Sequence, residues 1–236
     1  MVNSRFYDVA YRWGWAPWDA VGVRDELLAL LATGEVTPAT HPHAIDLGCG
    51  TGANMVELAG RGFDATGVDF STVALHKAEA RACAAGVSER CRFVEADLTA
   101  ASLPPAVGAG YDLLLDFGTL DDLRPEGRAR MASHVARLAR PGAVVVFWCF
   151  YAARKELPRI SFHGPSRLTP SIEPGQEEQL FGEDFEIADF ARPHPHAACF
   201  LLHRRARSRS ASGERSASKR RAGSSSEGLP KREVGK

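Results

Sequence analysis

A glycine-rich segment carries the residues that most clearly predict chemistry. It reads Asp46-Leu47-Gly48-Cys49-Gly50-Thr51-Gly52, and it stands between an apolar stretch and a helical pattern. Glycine permits positive φ angles and lets the backbone approach a ligand closely, while the free amides at a helix start can meet the polar end of that ligand. For a lone Gly-x-Gly, a tight strand-to-helix turn with no ligand is an equal alternative. Further polar residues must therefore decide between a binding loop and a simple turn.

Two acidic residues downstream occupy suitable positions. Asp69 ends the next apolar stretch, where a carboxylate can accept hydrogen bonds from both hydroxyls of a ribose. Asp97 follows the third stretch, where it could accept from an adenine amino group while Leu98 covers the ring. The structural alternatives are a helix N-cap or turn residue at Asp69 and a turn-capping residue at Asp97. Because both acids follow the glycine loop in this order, the pattern favours a nucleoside-binding site.

The acid that precedes the glycines separates two classes of nucleoside ligand. A pyrophosphate binder gains nothing from a carboxylate beside its phosphates, and Asp46 stands directly before the loop. The spacing is also Gly-x-Gly-x-Gly rather than the Gly-x-Gly-x-x-Gly of dinucleotide-binding loops. S-adenosylmethionine has no phosphate and carries an amino group, so an acid near the loop is compatible with it. The sequence therefore predicts an adenosylmethionine site rather than an NAD site.

Alternating strands and helices must position these residues. Strands are predicted at 44–47, 63–68, 91–95, 111–117 and 143–150, and helices at 19–31, 52–61, 71–85 and 125–139. Such alternation implies a parallel sheet that helices cover on both faces. After Phe150 the rhythm changes to a loop-like segment over 151–180, and then to an antiparallel hairpin formed by 185–190 and 197–203. The predicted fold class is therefore α/β.

The motifs resemble those of class I S-adenosylmethionine-dependent methyltransferases. Ile45 to Gly52 resembles the first motif of that superfamily, Gly67-Val68-Asp69 its second-strand acidic motif, and Glu95-Ala96-Asp97 its adenine motif. The resemblance covers residues 43–150 and implies S-adenosyl-L-methionine as cofactor. It also implies a doubly wound, Rossmann-like sheet of seven mostly parallel strands with an antiparallel last strand. The residues assigned to cofactor binding are Asp46, Gly48, Cys49, Gly50, Thr51, Gly52, Asp69, Phe70, Ser71, Asp97, Leu98, Asp116 and Phe117.

Two further segments resemble a narrower group. Asp116-Phe117-Gly118-Thr119-Leu120-Asp121 is similar to the DxGxxH motif of small-molecule methyltransferases related to thiopurine methyltransferases, and the aromatic segment from Tyr11 to Asp19 is similar to that group and to relatives that methylate small heterocycles. Asp121 stands where the motif often has His, so a role for His is not carried over. The Asn-Pro-Pro-Tyr motif of methyltransferases acting on amino groups of nucleic acid or protein is absent. The resemblance implies methyl transfer to an O, N or S atom of a small aromatic or heterocyclic molecule.

Candidate catalytic residues follow from the chemistry of a sulfonium. Its methyl group is already activated, so alignment and exclusion of water suffice and no catalytic residue is obligatory. Asp121 or Asp122 could accept a proton from a phenol or a heterocyclic N–H, the alternative being solvated acids at a helix start. The aromatic N-terminus either closes over a flat acceptor or packs the first helix onto the sheet. The residues predicted to line the acceptor pocket are Tyr11, Trp13, Trp15, Tyr151, Phe162 and His163.

Charge is distributed unevenly along the chain. The formal net charge is zero, yet Arg207 to Lys236 contains nine Lys or Arg residues against three Asp or Glu. This tail has too few large apolar side chains to offset its ordering entropy. We therefore predict a methyltransferase domain over residues 1–205, with an aromatic N-terminal lid at 1–17 and a variable substrate insert at 151–180, followed by a disordered, basic, Ser/Arg-rich tail at 206–236.

Other features narrow the location and the partners. The five cysteines form no CxxC pair, which predicts a reduced protein without a metal site. No signal peptide or membrane span is recognisable, which predicts a cytoplasmic protein. The expected partner is a small-molecule methyl acceptor, with no membrane or nucleic acid, and the protein is expected to be a monomer or homodimer. Two alternatives stay open: a catalytically silent regulatory protein that binds S-adenosylmethionine or S-adenosylhomocysteine, and a methyltransferase that reaches a macromolecule through its basic tail.

Overall fold

One twisted sheet of seven strands organises the protein. The computed structural model describes residues 4–156 and 171–206, all of which belong to one compact unit. The strands are β1 (His43–Leu47), β2 (Asp64–Asp69), β3 (Cys91–Glu95), β4 (Tyr111–Phe117), β5 (Ala139–Phe150), β6 (Phe185–Ala191) and β7 (Ala197–Arg204).

The strand order is β3-β2-β1-β4-β5-β7-β6. Strands β1 to β5 pair in parallel, and β7 runs antiparallel to both β5 and β6. The order reverses between β1 and β4, and ligands of open α/β sheets bind in the crevice outside the carboxyl ends of the strands at such a point. The predicted α/β sheet of seven mostly parallel strands with an antiparallel last strand is confirmed.

Helices cover both faces of this sheet. They are α1 (Ser4–Trp13), α2 (Asp25–Thr33), α3 (Ala53–Gly60), α4 (Thr72–Ala84), α5 (Pro125–Leu138) and α6 (Gln176–Phe181). Local signals set several of their ends. The Ser71 hydroxyl accepts from the Ala74 amide and caps α4, Gly34 ends α2 with a left-handed φ of 76°, and Pro125 stands in the first turn of α5.

The core has two layers, one on each face of the sheet. Leu113 and Leu115 of β4 pack in the layer beneath α2 and α3, whereas Leu114 between them packs in the layer beneath α5. This division follows from the two-residue period of a strand. All three side chains are fully buried, and each such leucine contributes about 1.5–3 kcal/mol to stability. The apolar run therefore holds β4 in the sheet centre, as expected for a parallel strand.

Four elements differ from the prediction. The helix predicted at 19–31 begins only at Asp25, because the chain first makes turns that end at Gly22, whose φ is 74°. A separate helix, α1, forms in the aromatic segment to which no helix was assigned. Strand β5 begins at Ala139 instead of residue 143, so Pro141-Gly142 lies within the strand rather than between two elements. The last helix, α6, lies in the segment predicted to be loop-like throughout.

Some predictions concern residues outside the described ranges. Phe162 and His163, most of the predicted substrate insert and the tail from residue 207 onward belong to this group. In the parts of the chain that the structure describes, no helix is long and apolar enough to cross a membrane. Within those same ranges, no three His, Cys, Asp or Glu side chains are grouped to hold a metal ion.

Candidate functional site

The glycine loop between β1 and α3 turns sharply at three glycines. Gly48, Gly50 and Gly52 have φ angles of 83°, 52° and 77°, which side chains on L-residues rarely tolerate. A Cβ on Gly48 would lie 2.0 Å from Thr119 Oγ1, and one on Gly52 would lie 2.9 Å from the Cβ of Ala78. These two glycines are therefore required by packing within the protein. Gly50 instead faces Tyr11 and Asp19 of the N-terminal segment, which comprises residues 4–19.

Asp69 ties the glycine loop to the end of β2. Its Oδ2 accepts from the Gly50 amide at 2.9 Å, and its Oδ1 accepts from the Ser71 amide at 2.9 Å. The side chain is buried, and desolvation raises its pKa to about 6, against the backbone hydrogen bonds that lower it. Since an ionised carboxylate offers about four acceptor positions, Asp69 retains capacity for ribose hydroxyls while it also holds the turn.

Asp46 lies beneath the same loop at the end of β1. It is 2 % exposed, and its Oδ2 accepts from Asn54 Nδ2 at 3.3 Å. Burial raises its pKa to about 7, and the hydrogen bond from Asn54 and the nearby charge of Arg24 act in the opposite direction. The loop therefore has a buried acid whose pKa lies well above that of a solvated aspartate.

Arg24 is a residue that the sequence analysis did not single out. Its guanidinium carbon lies 5.6 Å from the ring centroid of Phe117 and 5.4 Å from that of Trp148. Within the described residues it has no salt bridge, and its charge lies close enough to Asp46 to lower the pKa of that acid. A half-buried cation here suits a carboxylate. No local pattern reveals it, because Arg24 stands far before the glycine loop in sequence.

The N-terminal segment lies over the glycine loop. Tyr11 is 4 % exposed, and its hydroxyl oxygen would lie 3.0 Å from a Cβ on Gly50. That hydroxyl accepts from Trp18 Nε1 at 3.0 Å. On the same helix, the Tyr7 hydroxyl donates to Asp122 Oδ2 at 2.6 Å, and its ring lies edge-on to Phe70 at 5.3 Å. The segment thus connects the glycine loop with the end of β4.

Two carboxylates of this segment bind the same elements. Asp19 accepts from the Thr51 amide at 3.2 Å and from the Thr51 hydroxyl at 2.8 Å, and Arg81 donates to that hydroxyl at 2.8 Å. Asp8 accepts from the Ser71 hydroxyl at 2.6 Å. Because negative charge is stabilised at helix N-termini, these contacts explain how the segment docks at the starts of α3 and α4.

The structure does not bring all the predicted acceptor residues together. Tyr11 lies inside the cluster over the loop, whereas Trp13 and Trp15 are 82 % and 61 % exposed. Tyr151 lies beyond the end of β5, where its hydroxyl donates to Glu177 at 3.0 Å. Its ring packs against Arg192 instead of the N-terminal cluster. Of the described acceptor residues, only Tyr11 therefore lies at the glycine loop.

Three acids cluster at the end of β4 and the start of α5. Asp116 is buried, and its carboxylate accepts from the amides of Thr119 at 2.9 Å and Leu120 at 3.2 Å. Asp121 accepts from the Phe150 amide through Oδ2 at 2.7 Å. Asp122 accepts from the Tyr7 hydroxyl of α1. Burial raises the pKa of all three, for Asp121 to about 7.

The predicted adenine residues lie at the end of β3. Asp97 is exposed, and its Oδ1 accepts from the Thr99 amide at 2.7 Å and the Thr99 hydroxyl at 2.6 Å. Leu98 beside it is buried in the core. Asp97 thus makes the turn-capping contacts of the structural alternative, and its second oxygen, Oδ2, is not used in them.

These residues fit the adenosyl cofactor that the resemblance implies. A Cβ on Gly50 would lie 3.0 Å from the Tyr11 hydroxyl oxygen and 3.2 Å from Asp19 Oδ1, and the Gly50 amide donates to Asp69. If the cofactor binds at this loop, Asp69 would accept from the ribose hydroxyls and Asp97 from the adenine amino group. Asp46 and Arg24 would then face the amino and carboxylate ends of the methionine portion with opposite charges.

Comparison with known proteins relates the chain to methyltransferases. Residues 44–142 match a family model described as a methyltransferase domain. The chain is 42% identical over 95 residues to the release factor glutamine methyltransferase of Chlorobaculum tepidum, which covers 39% of the chain and 32% of that protein. It is 29% identical over 149 residues to a ubiquinone biosynthesis O-methyltransferase of Burkholderia orbicola, which covers 61% of the chain and 60% of that protein. The chain thus spans about a third and three-fifths of these two relatives.

A solved structure shares the fold over most of both chains. It is the 1,6-didemethyltoxoflavin-N1-methyltransferase of Burkholderia thailandensis, with bound 1,6-didemethyltoxoflavin and S-adenosylhomocysteine. The TM-score is 0.63 at 20% sequence identity, and the match covers 86% of this chain and 87% of that one. At this identity the likeness concerns the fold.

Proposed function

Because the chain belongs to the class I S-adenosylmethionine-dependent methyltransferase superfamily, with S-adenosylmethionine as its cofactor, we propose that it methylates a small aromatic or heterocyclic molecule at an O, N or S atom. One observation carries the proposal. The aromatic N-terminal helix reaches both ligand regions at once, with Tyr11 at the glycine loop and Tyr7 hydrogen-bonded to Asp122 beyond β4. Such a cover encloses a small acceptor and leaves little room for a macromolecule.

Each group at the loop has a role in holding the cofactor. The lone pairs of Asp69 that the Gly50 and Ser71 amides leave free suit the ribose hydroxyls. Asp46 suits the amino group of the methionine portion, and the guanidinium of Arg24 suits its carboxylate. When bound, the cofactor supplies a methyl group already activated by its positive sulfur.

The protein then has to orient the acceptor and exclude water. The rings of Tyr7, Tyr11 and Trp18 form a contiguous cluster, with centroid distances of 5.1 Å between Tyr7 and Trp18 and 6.0 Å between Tyr11 and Trp18. This cluster covers the polar groups of the site with apolar surface. At the far side of the cover, Asp121 remains the proposed group for accepting a proton from the acceptor, whereas Asp122 already accepts from the Tyr7 hydroxyl and holds the cover in place.

The names of the relatives support a small acceptor. One relative is named a ubiquinone biosynthesis O-methyltransferase, and a protein that shares the fold is named a 1,6-didemethyltoxoflavin-N1-methyltransferase. The release factor glutamine methyltransferase, by contrast, is named for a protein substrate. The buried position of Tyr11 over Gly50 favours the first kind of acceptor for this chain.

Calorimetry and turnover test the proposal in two stages. We expect the full chain to bind S-adenosylmethionine and S-adenosylhomocysteine but not NAD, because Asp46 lies where a pyrophosphate would be repelled. Labelled S-adenosylmethionine should then methylate at least one member of a panel of phenols, thiols and aza-heterocycles. Binding of NAD alone would contradict the assignment of the site, and tight adenosyl binding with no turnover across the panel would favour the silent regulatory protein.

A further inference from the structure

We propose that Asp121 selects the methyl acceptor: its Oδ1 binds an N–H or O–H group on a flat aromatic ring that lies beside Trp148. The inference rests on the proposed function, since it names the class of acceptor that the same site takes. It assigns to Asp121 a role that neither Asp116 nor Asp122 shares.

The unpaired oxygen of Asp121 is the first observation. The residue is 1 % exposed, and Oδ2 accepts from the Phe150 amide at 2.7 Å. Among the described residues, Oδ1 is the buried side-chain nitrogen or oxygen that has no hydrogen-bond partner. Buried polar atoms are almost always paired, because an unmade hydrogen bond costs the full desolvation of the group. An oxygen left in this state needs a partner that the described residues do not supply.

The position of that oxygen is the second observation. A Cβ placed on Gly118 would lie 3.7 Å from Asp121 Oδ1 and 3.5 Å from Cζ3 of the Trp148 indole. The acceptor oxygen and the aromatic ring therefore flank the same point, within van der Waals reach of a carbon placed at Gly118. Gly118 follows β4 directly, at the carboxyl edge where ligands of such sheets bind. A flat ring beside the indole can direct a donor at Oδ1.

The neighbouring charges set the pH at which Oδ1 acts as an acceptor. Burial raises the pKa of Asp121 to about 7, the charge of Asp122 raises it further, and the Phe150 amide and Arg128 lower it. Asp116 and Cys149 also lie near enough to interact with it. Above pH about 7 the carboxylate is ionised and accepts hydrogen bonds only. Below that pH the carboxyl group is protonated, so it favours ligand groups that accept a hydrogen bond over groups that donate one.

Asp122 provides the matched control. It is adjacent in sequence and also an aspartate, but its Oδ2 already accepts from the Tyr7 hydroxyl. Its hydrogen bond is therefore internal, between α1 and the start of α5. An Asp122→Asn variant should loosen the N-terminal helix without changing which acceptors the site prefers.

A purely structural role for Asp121 is the competing explanation, since Oδ2 holds the end of β5 through Phe150. The Asp121→Asn variant separates the two roles. Its amide oxygen can keep the bond from the Phe150 amide, which places the NH₂ group at the former Oδ1 position. The tie to β5 is thereby kept, while the free position changes from an acceptor to a donor.

Pairs of probes that differ by one donor measure the preference. Calorimetry at pH 8 on the full chain loaded with S-adenosylhomocysteine compares benzimidazole with 1-methylbenzimidazole, and 2-naphthol with 2-methoxynaphthalene. In at least one pair, the wild type should bind the compound that carries the hydrogen-bond donor at least about tenfold more tightly than its methylated partner, as expected for a hydrogen bond to a charged group. That preference should vanish in Asp121→Asn and persist in Asp122→Asn.

Three results would overturn the inference. They are an unchanged preference in Asp121→Asn, no preference in the wild type, and no binding of any probe to the loaded wild type. The melting temperature of Asp121→Asn serves as the folding check, and Asp121→Ser, which also removes the free carboxylate oxygen, should lose the preference too. Failure of the proposed function looks different, because S-adenosylhomocysteine would then not bind, or no acceptor class would be methylated by the wild type.

Discussion

At the ends of β1 and β2, the buried carboxylates are paired within the protein, whereas at the end of β4 one carboxylate oxygen is not. Asp69 accepts from two backbone amides, and Asp46 accepts from a side-chain amide. Asp121, equally buried, leaves Oδ1 without a partner among the residues that the structure describes. In the first region, each buried acid is therefore tied to a neighbouring segment of the protein. The second region is left incomplete at the point where the acceptor is proposed to lie.

The difference also concerns sequence distance. The groups that pair with Asp69 come from the adjacent loop and from the start of the following helix, α4. Asp122 is paired by Tyr7, 115 residues away, and Asp121 by Phe150, 29 residues away. A region made from neighbouring segments can be shared by many proteins, while one that depends on distant segments can vary with the acceptor.

Removal of Asp69 should have the largest effect. Asp69→Ala removes the acceptors for the Gly50 and Ser71 amides and for the ribose. We expect S-adenosylhomocysteine affinity to fall by about 1–3 kcal/mol, the range for charge-assisted hydrogen bonds that are no longer made. Calorimetry measures the change. Asp64→Ala, at the exposed opposite end of β2, is the control, and equal affinity in both folded variants would mean that Asp69 only holds a turn.

Substitutions of two aromatic residues on α1 test whether this helix packs on the domain through Tyr11. Tyr11→Ala should reduce the free energy of unfolding by about 2 kcal/mol, because a buried ring and its contact with Trp18 are lost. Trp13→Ala, on the exposed side of α1, should change it by less than about 0.5 kcal/mol. Urea unfolding gives both values. Similar losses in the two variants would mean that α1 does not dock through Tyr11.

The smallest expected effect is a pH dependence of stability without cofactor. The pKa values of Asp46, Asp69 and Asp121 are raised to about 7, 6 and 7, so the folded protein binds more protons than the unfolded chain between pH about 4 and 7. Stability is therefore greatest at the acid end of this window and falls as the pH rises through the folded pKa values. A change of about 1 kcal/mol corresponds to about 2–4 °C in melting temperature.

Thermal unfolding between pH 4.5 and 7.5 measures this slope. Asp46→Asn keeps an acceptor for Asn54 but cannot titrate, so it should flatten the slope. Bound S-adenosylhomocysteine should flatten it as well, if its amino group pairs with ionised Asp46. A melting temperature that rises with pH across the window would contradict the assignment of these acids as neutral in the unliganded fold.

Much of the fold could be predicted because its signals are local. The strands at 91–95 and 111–117 have the predicted bounds, since strand periodicity and flanking turn residues mark both ends. The helix α4 begins after Ser71 as the cap predicts. The helix predicted at 19–31 starts too early, because its amphipathic pattern extends back over residues that form turns near Pro17 and Gly22.

The predictions for the acceptor site were less complete, for a physical reason. Aromatic residues concentrated near the N-terminus suggested a pocket lining, but helical periodicity sends Tyr11 and Trp13 to different sides of α1. Arg24 had no sequence signal at all, because its role depends on the rings of Phe117 and Trp148 from two separate strands. Phe117 and Trp148 lie beside each other because β4 pairs with β5, and the local sequence around Arg24 does not encode that pairing.

What the sequence determined by itself was the backbone geometry of the glycine loop, the alternation of strands and helices, and the acids that end β1 and β2. Each depends on residues close in the chain, where glycine's conformational freedom and the two periodicities act directly. Only the tertiary structure decided which acid beyond β4 has a fully buried oxygen with no partner among the described residues. Asp121 and Asp122 are chemically identical neighbours, and they differ because β5 supplies an amide to one oxygen of Asp121 while α1 supplies a hydroxyl to Asp122.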